Sequence, residues 1–161
     1  MSNTIYRWWR HRIEGGRSAG YLVLQKPLTA TSKRMAATRS RDNPREVAVR
    51  SALHRIGLRY RIHRRLIPRS NRTVDIVFVR AKVAVFLDGC FWHGCPLHGT
   101  SPKTNSEWWR EKIAANRARD SDTDSKLKQQ GWSVVRIWEH VPIEDAVALI
   151  VGYAQREERR T

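Results

Sequence analysis

Acid is scarce in the first half of this chain. Of 161 residues, 31 are Lys or Arg and 15 are Asp or Glu, yet residues 1–72 hold eighteen of the bases and three of the acids. Such an imbalance points to a polyanionic partner, nucleic acid first and an anionic membrane as its competitor. Cysteine is scarcer still. Two in the whole chain exclude a disulfide-stapled scaffold and leave metal ligation or a free thiol. No apolar run approaches the ~20 residues that span a bilayer. The N-terminus, M-S-N-T-I-Y-R-W-W-R-H-R, lacks the apolar core of a signal peptide. No membrane partner and a cytoplasmic location are therefore expected, with an Arg-rich transit peptide as the competing reading. Internal repeats and long low-complexity stretches are absent too, and the length suits one compact domain.

What the chain does have is arginine, which grips phosphate with two parallel hydrogen bonds, so nucleic acid is the expected partner. Residues 1–30 read as a basic N-terminal extension. Trp8-Trp9 lies among Arg and His, and Gly15-Gly16 interrupts any helix. This segment is either an arm that folds onto DNA or a tail. Thr31–Asn43 is polar, basic and rich in hydroxyl donors for phosphate oxygens.

From there the spacing predicts one α/β domain. Asn43 and Pro44 open a helix whose apolar positions run from Val47 to Ile56, and Gly57 ends it. Leu58–Ile67 alternates apolar and basic residues as a strand with one wet or phosphate-facing side. Thr73–Val79 and Val83–Leu87 read as further strands. A long helix follows from about Ser106 to Gln130, with a break expected near Ser121–Ser125. Trp132–Trp138 is the last strand, and Pro142 opens a closing helix. The result is a mixed central sheet flanked by helices.

The richest stretch is V-D-I-V-F-V-R-A-K-V-A-V-F-L-D-G-C-F-W-H-G-C-P-L-H, residues 74–98. Asp75 lies within one apolar strand and Asp88 ends the next. Acids in such settings need a cation or an ion pair. Neighbouring strands would aim both at one pocket suited to Mg²⁺, or each acid pairs with one of the many arginines. His93, after Phe91-Trp92, suits proton transfer or phosphate contact, or a hydrogen-bonded turn. Cys95-x-x-His98 has metal-ligand spacing and supplies half a zinc site. His140 and Asp120 are candidates for the other half, and Cys90 is the rival ligand or a small buried hydrophobe. Phe91 and Trp92 belong to the core or wedge between base steps. Glu46 complements a helix dipole by position alone.

At G-C-F-W-H-G-C-P-L-H the chain resembles the very short patch repair (Vsr) DNA mismatch endonucleases. The supporting segments are T-S-K-R-M at 31–35, V-D at 74–75, F-L-D-G-C-F-W-H-G-C-P at 86–96, N-x-x-x-D at 116–120 and G-W-x-V-x-x-I-W-E-H at 131–140. The resemblance covers about residues 31–140, so residues 31–161 are read as the endonuclease domain. It implies a fold similar to the PD-(D/E)xK nucleases with a structural zinc site. It implies a Mg²⁺-dependent enzyme that nicks DNA 5′ of the T in a T:G mismatch left by deamination of 5-methylcytosine. Residue by residue, Asp75 and the Leu87 carbonyl would bind Mg²⁺, with His93 catalytic and Glu46 supporting it. Lys33, Arg34 and Met35 would contact DNA, and Met35, Phe91 and Trp92 would wedge beside the mismatch. Cys95, His98, Asp120 and His140 would hold Zn²⁺. A monomer acting on double-stranded DNA is expected, with mismatch-repair proteins as candidate partners.

Two departures bear on this. Asp88 stands where some members carry a second active-site histidine, so it is expected to bind metal or orient water instead. The zinc ligands differ in order and type from members that use more cysteine. The related E-D-x-H-D homing endonucleases share Glu46, Asp75, His93 and Asp120 as a constellation. A site-specific restriction or homing enzyme is thus the alternative function, and a zinc-containing DNA-binding module without activity is the alternative of another class.

Overall fold

Pro44 starts helix α1 (Pro44–Arg55) in a computed structural model that describes residues 42–100 and 102–159. Proline suits a first helical turn, where its missing N–H has no partner to lose. Glu46, Val49 and Leu53 face inward from α1. Gly57, at φ +89°, ends the helix: its N–H reaches the His54 carbonyl, and the Leu58 N–H reaches Leu53. Those two bonds satisfy carbonyls that the helix leaves open.

Four strands follow the expected order: β1 (Arg61–Arg64), β2 (Val74–Phe78), β3 (Val83–Asp88) and, after a long helix, β4 (Ser133–Trp138). The sheet order is β1-β2-β3-β4. The first two pairings are antiparallel and β3-β4 is parallel, so the sheet is mixed. β1 is shorter than its alternating sequence suggests. Only Arg61 to Arg64 find β2 partners, between Val77 and Val74, and alternation without a partner makes no ladder.

Helix α2 (Ser106–Gln129) is continuous, which corrects the expected break near Ser121–Ser125. Thr123 Oγ1 bonds back to the Arg119 carbonyl at 2.7 Å and accepts from Arg72 at 2.9 Å. Asp122 takes Lys126 at 2.8 Å. These polar groups therefore find partners on and beside the helix and do not compete with its backbone. Helix α3 (Ile143–Glu158) closes the chain, with Ala146, Ile150 and Ala154 inward.

Two apolar layers result. Val49 and Leu53 of α1 and Ala146, Ile150 and Ala154 of α3 cover one sheet face, meeting Ile76, Val83, Val85, Val135 and Ile137. Leu127 of α2 covers the other face against Val77, Ala84 and Phe86. Leu53 is fully buried, so Leu53→Ala would cost about 2–5 kcal/mol. No helix among the described residues is long and apolar enough to cross a membrane.

Candidate active site

The chemistry-bearing side chains gather where β2, β3 and β4 meet the residues that follow them. Asp75 Oδ2 accepts the Leu87 N–H at 2.9 Å across the β2-β3 pair. Burial pushes the Asp75 carboxyl up to about 6. The Leu87 N–H opposes that rise, the charges of Glu46 and Asp88 add to it, and His63 counters it. An acid that ionises so reluctantly fits a bound cation, which would restore the charged form.

Glu46 is 3 % exposed. Its Oε1 lies 3.5 Å from His63 Nε2 and 3.7 Å from Arg50 Nη1. His63 faces Asp75 in the antiparallel register, since Ile62 pairs with Ile76 and Arg64 with Val74. It holds φ +48°, a left-handed backbone uncommon outside glycine. Sequence reasoning passed over His63. Its signal was slight: an imidazole among arginines on an alternating strand.

His93 lies across the site on the segment after β3. Its Nδ1 is 2.6 Å from Asp120 Oδ2 on α2 and 3.8 Å from Asp88 Oδ1. Burial disfavours the imidazolium, but the Asp120 hydrogen bond and the charges of Asp88 and Asp120 outweigh it and raise the His93 pKa. Asp120 moves the other way. Burial would raise it, yet His93, Arg136 and Arg119 hold it below the usual carboxylate range. Asp120 thus supplies the hydrogen bond to His93 Nδ1, while Glu46 lies beside His63 of β1.

The turn carrying His93 is tightly built. Gly94 has φ +64°, and a Cβ there would stand 2.8 Å from Ile113 Cγ2, so only glycine fits. Asn116 Nδ2 donates to the Trp92 carbonyl at 2.8 Å, and the Arg119 guanidinium donates to Asn116 Oδ1 at 2.7 Å. The N-x-x-x-D spacing thus puts Asn116 and Asp120 one helical turn apart, one holding the turn and the other its histidine.

Asp88 is 5 % exposed, and both its oxygens accept Arg136 Nη1 at 2.8 Å. Of the readings open for this acid, metal ligand, water-orienting group or ion pair, the geometry displays the pair. Arg136 was passed over in the sequence, although a charge inside V-V-R-I-W needs a buried partner.

A second cluster lies beside the turn. Cys90, Cys95, His98 and His140 bring one ligand atom each to within 4.8 Å of one another. Cys90 Sγ is 3.1 Å from His140 Nδ1, and Cys95 Sγ is 3.6 Å from the same atom. Two buried thiols and two imidazoles suit tetrahedral zinc. Asp120, expected among the ligands, lies outside this cluster: its carboxylate is engaged by His93 and Arg136, and Cys90 offers the fourth donor atom. Glu139 ties the cluster to the sheet. Its N–H donates to the Asp88 carbonyl at 2.9 Å and its Oε1 accepts the Cys90 N–H at 2.8 Å.

Phe91 and Trp92 are half-buried and meet edge to face at 5.3 Å. Both lean on the buried Trp109, at 5.0 and 5.9 Å, and Lys112 Nζ lies 4.7 Å from the Trp108 ring. The expected contacts of Lys33, Arg34 and Met35 lie outside the described residues.

A family model described as DNA mismatch endonuclease Vsr matches residues 26–98. The chain is 46% identical over 128 residues to the Type II nicking enzyme V.NaeI of Lentzea aerocolonigenes, across 78% of this chain and 77% of that protein. It is 44% identical over 107 residues to the Type II nicking enzyme V.XorIIP of Xanthomonas oryzae pv. oryzae, across 65% of this chain and 76% of that protein. The DNA mismatch endonuclease Vsr of Escherichia coli is 36% identical over 110 residues, across 67% and 68% of the two chains.

Proposed function

The chain belongs to the family of the DNA mismatch endonuclease Vsr and is a DNA endonuclease, and from that premise we propose that it nicks one DNA strand 5′ of the T in a T:G mismatch, with Mg²⁺. One observation carries the reading: a half-buried acid, Asp75, and an imidazole hydrogen-bonded to a carboxylate, His93–Asp120, both feel the charge of Asp88. Single-strand cutting is supported by relatives named as nicking enzymes. Action at a mismatch draws on the relative named as a mismatch endonuclease, and the T:G form on the resemblance of the sequence motifs. A fold of PD-(D/E)xK type belongs to the same proposal, as does a cytoplasmic setting beside the DNA.

Asp75 and the Leu87 carbonyl would hold Mg²⁺, with Glu46 adding negative charge nearby. When bound, the ion would neutralise charge on the scissile phosphate and acidify a water. His93 works through its ring. Asp120 occupies Nδ1, which leaves Nε2 to exchange a proton or face the phosphate, and the raised pKa favours the imidazolium that stabilises developing charge. Zinc held by Cys90, Cys95, His98 and His140 would fix the turn from both sides of His93. Phe91 and Trp92, with Met35, would unstack the mismatched step, which costs least at a mispair. Arginines 59, 61, 64, 65 and 69, all exposed, would clamp the phosphate backbone.

The test is a nicking assay with Mg²⁺ on matched and T:G-mismatched duplexes across many flanking sequences, with Asp75→Asn beside the wild type. Nicking that depends on the mismatch and is lost in the variant supports the reading. Equal cutting of a matched duplex at one sequence overturns T:G specificity in favour of a site-specific enzyme.

A further inference from the structure

Arg136 meets three carboxylates at once. It sits within β4 opposite Phe86 in the parallel register, and its guanidinium lies 4.5 Å from the Phe86 ring centre. Nη1 donates to both oxygens of Asp88 at 2.8 Å. Nε donates to both oxygens of Asp124 at 3.0 and 3.1 Å. Nη2 stands 3.4 Å from Asp120 Oδ1. Three acids from β3 and α2 therefore converge on one planar cation. Asp120 is held by both its oxygens, with Oδ1 facing Arg136 and Oδ2 on His93 Nδ1 at 2.6 Å.

We propose that Arg136 is a positioning residue of the nuclease site: it fixes the carboxylate that orients His93, and it withdraws Asp88 from the acids available to a catalytic cation. The inference rests on the assignment of His93 to the chemistry. A carboxylate free to rotate would leave the His93 ring free to swing, and small displacements of a reacting group lower rate steeply. A guanidinium is suited to this task because its donors point in fixed directions from one plane. Lysine offers one compact charge and cannot span three carboxylates. Asp88 has little to offer a metal while both of its oxygens take the same Nη1.

The experiment compares wild type, Arg136→Lys, Asp120→Asn and the double variant, in the full-length protein and on the duplex the wild type nicks. Rate at saturating enzyme, DNA Kd, Tm and the Mg²⁺ concentration for half-maximal rate are measured together. Arg136→Lys should fold, bind DNA within about twofold of wild type and nick at least tenfold more slowly. The double variant should be no slower than Asp120→Asn alone, because both changes act through one carboxylate. Effects that multiply, or a rate loss that merely tracks Tm, overturn the proposal. Asp88→Asn should leave the half-maximal Mg²⁺ concentration within twofold; a tenfold rise would make Asp88 a metal ligand and overturn the second half.

A measurement without substrate separates this inference from the functional reading. In ¹⁵N-labelled protein, the His93 ring proton on Nδ1 should be protected from solvent exchange, and Arg136→Lys should speed that exchange at least tenfold. Unchanged exchange refutes the positioning role, even if the wild type nicks no duplex tested and the assignment of His93 falls. Should Arg136→Lys not fold, Arg136→Gln combined with Asp124→Asn removes the cation and one of its three acids, and the same readouts apply.

Discussion

Asp75→Asn should abolish nicking and at the same time make the metal-free protein more stable. Partial burial pushes the carboxyl up to about 6, and the charges of Glu46 and Asp88 add to the rise. Relative to an ordinary aspartate near ~4, that disfavours the charged form by ~3 kcal/mol. The sign follows from linkage. A folded pKa raised above the unfolded one means the folded state binds more protons, so this contribution to stability is present below about pH 4 and is lost as pH rises through about 6. Asparagine keeps the shape and can still accept the Leu87 N–H, but never carries the charge. At pH 8 in a chelator that spares zinc, the variant should therefore exceed the wild type by about 1–3 kcal/mol, or several degrees in Tm. The gain should shrink as pH falls from 7 to 5, and Mg²⁺ should narrow it by stabilising the wild type alone. Calorimetry at three pH values with and without Mg²⁺ measures all of this. A variant no more stable than wild type at pH 8 would show that Asp75 carries no electrostatic burden there, and the argument for a cation at that position would fail.

Zinc and catalysis should separate by residue. A strong chelator should lower Tm, and Cys90→Ser or His140→Ala should reduce bound zinc. Asp120→Asn should keep full zinc while losing nicking, and zinc loss in that variant would restore Asp120 to the ligand set. Replacing Arg61, Arg64 and Arg65 with Gln should weaken binding equally on matched and mismatched duplexes. The slope of log affinity against log salt should fall by about 2–3, and an unchanged slope would remove β1 from the DNA contact. Replacing Phe91 and Trp92 with Ala should reduce mismatch preference more than total DNA affinity. Equal loss on both duplexes with a lower Tm would mark them as packing for Trp109.

Element order was legible because its signals are local. Gly57 and Gly131 end two helices with left-handed turns, and the apolar runs around Asp75 and Leu87 are too short for helices and well suited to buried strands. What was not legible depends on register and reach. Nothing local says that His63 falls opposite Asp75, because that is decided by which residues of β1 pair with Val74 and Ile76. The place of Asp120 has the same origin. Spacing offers Asp120 as a donor with Cys90 as its rival, and only the packing of α2 on the turn, through Asn116 and the Trp92 carbonyl, brings Asp120 to His93. Arg136 was hidden because a charge in a strand reveals its need for a partner but not which acids answer it. The unbroken α2 likewise depended on Arg72, fifty positions upstream of Asp122.

Among the described residues β1 ends the four-stranded order, and it carries Arg61 and Arg64 with Arg65 beyond them, all exposed. An open strand edge invites the edge of another molecule, and that is how folded proteins begin to aggregate. Here such an approach would set arginines of two copies against each other with no acid between them on that strand. The edge is self-repelling toward its own kind and attractive to a polyanion. Stripping those charges to weaken DNA binding would also remove a guard against strand-to-strand association, so the salt-slope variants should be the first to precipitate when concentrated without DNA.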